Sequence, residues 1–241
     1  MDRLASSRAR PRPQRVSVVV PVLDEAERIG GQLRSLARFA ALHEVIVVDG
    51  GSRDETVARV RAAGAARLLS APRGRASQMN AGARAATGDV LLFLHADVRL
   101  PDDALARVEE ALADPAVVGG AFRTWTVPDG GRSWLAPLLH LADLRSRCAR
   151  LPYGDQALFV RAHAFRRAGG FPEQPLMEDL ELSRRLARLG RLRVVRSRVA
   201  VSGRRFLARP IYYTLAVNLF PALYALGVAP ATLRRLYGDP R

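Results

Sequence analysis

Val16-Ser-Val-Val-Val-Pro-Val-Leu-Asp-Glu25 is a run of apolar, mostly β-branched residues that stops at two acids. Its composition is that of a buried strand, and Pro21 and Asp24 mark the way out of it. The same plan recurs in Glu44-Val-Ile-Val-Val-Asp49, in Ala66 to Ser70 and in Asp89-Val-Leu-Leu-Phe-Leu94, with helical patterns at 25–40, 54–63 and 75–86 between the runs. Buried strands separated by helices require right-handed βαβ crossovers, so the chain reads as α/β, with a mostly parallel central sheet and helices on both faces.

Ligands of such sheets bind beyond the carboxyl ends of the strands. The polar residues there are Asp24 and Glu25 after the first strand, Asp49 after the second, and His95 and Asp97 after the fourth. Beyond residue 100 the pattern predicts a helix from Pro101-Asp-Asp to about Ala113 and a strand from Val117 to Phe122. An amphipathic helix follows from Trp134 to Cys148, then a strand from Ala157 to Arg161 and a helix from Glu178 to Leu189 with Gly190 as its C-cap. Extended stretches at Leu192–Val195 and Val199–Val201 close the pattern.

Three segments follow: a disordered basic tail over 1–15, a main domain over 16–205 divided into 16–122 and 123–205, and an apolar and basic helical segment over 206–241. A lone cysteine, Cys148, and no secretory apolar stretch point to a cytoplasmic, reducing setting. The net charge of +15 is carried by arginine alone, and from Arg184 to Arg209 there are ten arginines and no acid. Because that stretch runs into the uncharged segment 210–230, peripheral contact with an anionic membrane is one expectation and a solvated, phosphate-attracting basic face the other. Asn218 and Pro221 interrupt 210–230, which favours a helix lying on a membrane over one crossing it.

Four motifs carry chemistry. In the first, Asp24 is expected to cap the following helix while Glu25 faces the crevice. In Val48-Asp-Gly-Gly-Ser-Arg-Asp-Glu-Thr56, Asp49 ends a strand, and Ser52 with Glu55 has capping-box spacing. In Arg73-Gly-Arg-Ala-Ser-Gln-Met-Asn-Ala-Gly-Ala83, arginines precede a helix of small residues, an arrangement suited to a diphosphate or a base edge; it matches neither a P-loop nor a dinucleotide fingerprint. In Leu91-Leu-Phe-Leu-His-Ala-Asp-Val98, His95 and Asp97 would point to one side of an extended segment, where both can face a divalent cation.

These motifs, in this order and followed by Met177-Glu-Asp-Leu-Glu-Leu182, resemble the family 2 inverting glycosyltransferases over roughly Val16 to Val201. The His-Ala-Asp and Asp-Gly-Gly-Ser variants are similar to a small subgroup associated with radical-SAM and selenium-domain proteins and with arsenosugar synthesis. The resemblance implies a GT-A fold, a Rossmann-like sheet, and transfer from a nucleotide diphosphate sugar, UDP favoured, to an acceptor hydroxyl. It places Pro21, Leu23 and Glu25 at the nucleotide, Asp49 at the uracil edge and Arg75 near the base or diphosphate, with Asn80 among the nucleotide contacts. Asp97 matches the last acid of the metal motif, with His95 beside it, and Asp179 matches the catalytic base. The family commonly has acids where Gly50 and His95 stand; an imidazole ligand suits Mn²⁺ better than Mg²⁺.

Further candidates for the diphosphate or the acceptor are Arg204, Arg205, Glu178, Asp155 and Gln156. The acceptor is expected to be lipid-like or a small metabolite, at the inner face of the cell membrane, and no specific nucleic acid is expected as a partner. Two other classes compete. A nucleotidyltransferase would need a Gly-rich triphosphate loop, which Pro21 to Glu25 lacks; a non-catalytic nucleic-acid binder would keep its salt-dependent binding without Asp97 or Asp179.

Overall fold

The computed structural model describes residues 14–128, 143, 151–204, 207 and 209–238. The expected helix from Trp134 to Cys148, apart from Asp143, and the candidate Arg205 lie outside the described residues.

The elements are β1 (Val16–Val22), α1 (Ala26–Ala37), β2 (Leu42–Asp49), α2 (Thr56–Ala63), β3 (Arg67–Ser70), α3 (Arg75–Ala85), β4 (Val90–Phe93), β5 (Val98–Arg99), α4 (Ala104–Leu112) and β6 (Val117–Val127). After a 3-10 turn at Gly154–Gln156 come β7 (Phe159–Arg161), α5 (Ala162–Arg167), α6 (Glu178–Ala187), β8 (Arg191–Ser202), α7 (Pro210–Ala225) and α8 (Pro230–Tyr237). They form one 8-stranded sheet in the order β3-β2-β1-β4-β7-β6-β8-β5. The pairs β1–β2, β1–β4, β2–β3 and β6–β8 are parallel, while β7 and β5 run antiparallel to their neighbours.

The apolar runs are continuous because both faces of the sheet are covered. Alternation along β1 sends Val18, Val20 and Val22 into a core shared with Ile29 and Leu33 of α1, Val60 of α2 and Val108 of α4. Val19 points the other way, into a core with Met79 of α3, Phe165 of α5 and Leu182 and Leu186 of α6. In that second core Phe93 meets Phe171 edge-on at 4.8 Å. A third, smaller cluster joins Leu176 to Ala216 and Phe220 of α7 and Leu233 of α8.

Gly82 brings α3 against the sheet, since a Cβ there would run into Val19 and Val48. Gly82→Ala is therefore expected to destabilise the protein by about 1–3 kcal/mol in urea unfolding, the usual cost of overpacking. A loss below about 0.5 kcal/mol would mean that the helix can move away.

Several local expectations are corrected. Gly190 is no left-handed cap: it is absent from the positive-φ glycines and sits where a Cβ would meet Val118 and the Ala116 carbonyl, so tight packing needs it. The two extended stretches near residue 195 are one strand, β8, held along its length by β6. Asp24 does not cap α1; its carboxylate accepts the Arg53 N–H at 2.8 Å, and its own N–H donates to Ser52 Oγ. Nor do Ser52 and Glu55 form a capping box, because the Ser52 hydroxyl donates to Asp49. In both cases the polar side chains fasten the β1 and β2 loops to each other, a long-range use that local spacing does not reveal.

Candidate functional site

The loops after β1 and β4, the start of α3 and the start of α6 converge on a cavity of about 560 Å³, roofed by α7 and α8. Pro21, Leu23, Glu25, Arg75, His95, Asp97, Asp155, Glu178 and Arg204 all line it. Residues from strand ends and from a segment more than 80 positions away are thus brought together.

The first wall is built by cross-linked loops. The Glu25 N–H donates to Thr56 Oγ1 at 2.8 Å and the Ala26 N–H to Asp54 at 3.0 Å, so the β2 loop positions Glu25. Glu25 is buried, and burial pushes its carboxyl up, reinforced by the Asp97 charge and opposed by Arg28 and Arg204. Two carboxylates and an arginine therefore face one another at this end of the cavity.

His95 and Asp97 share the cavity for a reason other than strand alternation. The segment turns, with the Val98 N–H donating to the His95 carbonyl at 3.1 Å. Burial, and then the Arg75 charge, lower the pKa of His95 and leave a neutral imidazole with a lone pair to offer. Among the described residues no three His, Cys, Asp or Glu side chains stand together at metal-holding spacing.

The second wall begins at Gly74, whose φ of 145° no residue with a Cβ adopts readily and which opens α3 into the cavity. Gly74, Arg75, Ala76 and Ser77 all border the space, so the free N–H groups of a helix N-terminus accompany the arginine. Gln78 pins this helix, donating to the carbonyls of Val22 and Val48 at 2.8 Å each. Arg75 stays charged: burial opposes the charge, but Glu178 and then Asp179 outweigh it.

Glu178 and Asp179 divide at the head of α6. The preceding Met177 takes a left-handed φ of 66°, an arrangement found where surrounding structure dictates the backbone. Glu178 is 2% exposed, with Oε1 paired to Arg75 Nη2 at 2.8 Å and Oε2 without a hydrogen bond among the described residues. Burial, and the Asp179 charge, push its carboxyl up against the pull of Arg75. Asp179 accepts the N–H of Gly154 at 2.6 Å and of Leu180 at 2.7 Å. Gly154 lies between Asp179 and His95, where a Cβ would stand 3.1 Å from Asp179 Oδ2 and 3.5 Å from His95 Nε2.

Three candidates sit elsewhere. Asp49 is turned into its own loop, accepting from the N–H groups of Gly51 and Ser52 and from the Ser52 hydroxyl. Asn80 clamps Phe171 through both backbone groups, at 2.8 and 2.9 Å. Gln156 accepts from the Tyr153 N–H and donates to the Phe122 carbonyl. None of the three is among the cavity's lining residues, and neither is Asp179, which stands one position behind the lining Glu178. Conversely, sequence reading missed Arg234 and Tyr237 of α8, which reach the cavity from the roof. The only signal for them was the spacing of Leu233, Arg234 and Tyr237 in a short amphipathic helix after Pro230.

Comparison with known proteins is consistent with this geometry. The family model described as Glycosyl transferase family 2 matches residues 17–168. The chain is 30% identical over 142 residues to an undecaprenyl-phosphate 4-deoxy-4-formamido-L-arabinose transferase of Pseudomonas aeruginosa, a match covering 54% of this chain and 42% of that one. It is 34% identical over 120 residues to the protein of the same description from Sodalis glossinidius, covering 45% and 37%. The matches thus span less than half the length of these curated relatives. Among solved structures, a mannosyltransferase from Pyrobaculum calidifontis in complex with GDP-Man and Mn²⁺ superposes with a TM-score of 0.65 at 24% identity, covering 94% of this chain and 68% of that one. A glucosyl-3-phosphoglycerate synthase from Mycobacterium tuberculosis, in complex with Mn²⁺, UDP and phosphoglyceric acid, gives 0.57 at 21% identity, with 86% and 78% covered. The likeness to these structures is one of fold, GT-A.

Proposed function

Since the chain belongs to glycosyl transferase family 2, we propose that its cavity is where a sugar passes from a nucleotide diphosphate sugar to an acceptor, with inversion. The observation that carries the reading is the convergence of Asp97, His95, Arg75 and the N-terminus of α3 on one cavity. Acid, neutral imidazole, cation and free N–H groups together are what a sugar diphosphate and its counter-ion require.

Asp97 and His95 are the residues that would hold a divalent cation, Mn²⁺ rather than Mg²⁺ given the imidazole. Such a cation, when bound, neutralises charge on the departing diphosphate. Arg75 and the α3 N–H groups hold the same diphosphate from the other side, and Arg204 stands at its mouth. Pro21 and Leu23 wall the space for the nucleotide, with UDP favoured as the donor's nucleotide by the family resemblance. The closer likeness to the radical-SAM-associated subgroup also belongs to this proposal, as does action at the cytoplasmic face of a membrane.

For a hydroxyl acceptor, Asp179 takes the proton as the acceptor oxygen bonds to the anomeric carbon and the sugar–diphosphate bond breaks. Its two backbone hydrogen bonds fix its orientation, and each carboxylate oxygen keeps a further lone pair. One observation favours a second assignment: Glu178, not Asp179, is among the residues lining the cavity, and its buried Oε2 has no hydrogen bond among the described residues. The curated relatives add another point, because their named acceptor is a lipid phosphate, whose oxygen is already anionic and needs no base.

Release of nucleoside diphosphate, measured with hydroxyl and with polyprenyl-phosphate acceptors, separates these cases. Asp179→Asn is expected to lower turnover on a hydroxyl acceptor by about 10²–10⁴-fold, as loss of a general base does, while nucleotide binding persists. On a phosphate acceptor the same variant keeps most of its activity. Should Glu178→Gln instead produce the hydroxyl-specific loss, the base is Glu178.

A further inference from the structure

We infer that α7 and α8 seat this protein on an anionic lipid bilayer, with the cavity opening beside the membrane, an inference that rests on the proposed transfer to a lipid-like acceptor. Helix α7 contains no charged residue from Pro210 to Ala225 and is apolar apart from Thr214, Asn218 and the tyrosine hydroxyls, the Asn218 amide donating to the Thr214 carbonyl within the helix. A helix of that kind is ordinarily covered on every side. One side is covered: Ala216 and Phe220 pack with Leu176 and Leu233, and Ala216, Val217 and Phe220 also line the cavity. The other side is bare, with Ile211 at 71%, Leu215 and Leu219 at 53% each and Leu226 at 83% exposure. At about 100° per residue these four fall within one arc of the helix. Leu236 of α8 adds a fifth exposed side chain at 55%, and Tyr212, which donates to the Leu236 carbonyl, ties the two helices together. Among the described residues, Trp125 is the only large exposed apolar side chain outside this pair of helices.

The surroundings identify what covers the bare side. Arg209, directly before α7, and Arg235, next to Leu236 in α8, are exposed, and the sequence from Leu182 to Gly238 contains no Asp or Glu. An apolar stripe bordered by arginines without acids matches the acyl boundary and headgroups of an anionic leaflet. A second copy of the chain fits less well, because two-fold pairing would press the same arginines together with no acid to meet them. Crossing the bilayer is excluded by length, since 16 residues of helix reach about 24 Å against a hydrocarbon core of about 30 Å. Among the described residues no helix is long and apolar enough to span a membrane. The helix therefore lies in the interface, its outer face toward acyl chains and its inner face forming the cavity wall. The transfer site is then within reach of a headgroup held in the same leaflet.

Vesicle co-sedimentation without nucleotide tests this. Wild-type protein is expected to bind phosphatidylglycerol-rich vesicles and to bind phosphatidylcholine vesicles far more weakly. Leu215→Ser with Leu219→Ser is expected to weaken binding to the anionic vesicles by roughly tenfold or more, because two apolar side chains no longer enter the interface. Leu226→Ser, at the most exposed position, should weaken it less and in the same direction. Melting curves of all variants should stay close to wild type, since each of these side chains is more than half exposed. The inference is overturned if wild-type protein ignores anionic vesicles, or if the serine variants bind as it does. It is equally overturned if the wild type is a dimer that the double variant converts to monomer, for a second copy then covers the face. Nucleotide-induced stabilisation of the same samples reports separately on the glycosyltransferase reading, so each can fail without the other.

Discussion

Replacing Asp97 by alanine is expected to abolish the stabilisation that a nucleoside diphosphate and Mn²⁺ confer on the protein, and to lower transfer by about 10²–10³-fold or more. The free protein should melt no lower than wild type. Asp97 is half-buried beside the buried carboxyl of Glu25, whose pKa is raised by burial and by Asp97 itself. Removing one of two facing acids relieves repulsion, so stability without ligand holds or rises slightly. A structural aspartate would give the opposite pattern: a lower melt in the free protein and an unchanged response to ligand. Thermal denaturation with and without UDP and Mn²⁺ measures both quantities on one sample.

Arg75→Met is expected to have the largest effect on stability. The substitution keeps the apolar stem but leaves Glu178, 2% exposed, buried without the guanidinium that pairs with it at 2.8 Å. The cost is bounded because Glu178 can take up a proton instead. At pH 7 that costs at most about 4 kcal/mol from an unfolded pKa near 4.3, and part is already present in the wild type, where the carboxyl is raised. A loss of about 2–3 kcal/mol at pH 7 follows. The direction with pH is fixed by the same linkage. A carboxyl whose pKa is raised on folding carries no penalty below its unfolded pKa; the penalty grows as pH rises and levels off above the folded value. Urea unfolding should therefore give a difference from wild type below about 1 kcal/mol at pH 5. Adding Glu178→Gln to Arg75→Met should restore much of the loss, and a loss independent of pH would show that packing, not charge, links α3 to α6.

The first half of the fold was legible because burial on both faces leaves continuous apolar runs, and β1, β2 and β4 are such runs. The short β5 and the helix α5 were not read, since two residues of strand and six of helix carry no period. Site residues divide along a similar line. Glu25, His95 and Asp97 stand at strand ends, where topology alone directs them toward a cavity. Asp49 also ends a strand, yet its carboxylate is taken by Gly51 and Ser52, a competition that two glycines and a serine permit and that spacing does not decide. Asn80 had the composition of a ligand contact and became a clamp on Phe171, 91 positions away, which no local pattern contains. The roof residues Arg234 and Tyr237 reach the cavity only because α7 and α8 fold back over it. That contact is carried by the small cluster around Leu233 rather than by any motif.

The central claim is that the cavity binds a nucleotide diphosphate sugar together with a cation, and the melting temperature of the wild-type protein tests it most directly. With UDP, GDP and CMP compared in turn, each with and without Mn²⁺, one nucleoside diphosphate at about a hundred times its dissociation constant should stabilise the fold by about 2.7 kcal/mol. For a chain of this size that is a rise of roughly 5–10 °C, present with Mn²⁺ and largely lost without it. If no nucleotide moves the melt in the presence of the cation, the cavity is not a sugar-nucleotide site and the account fails.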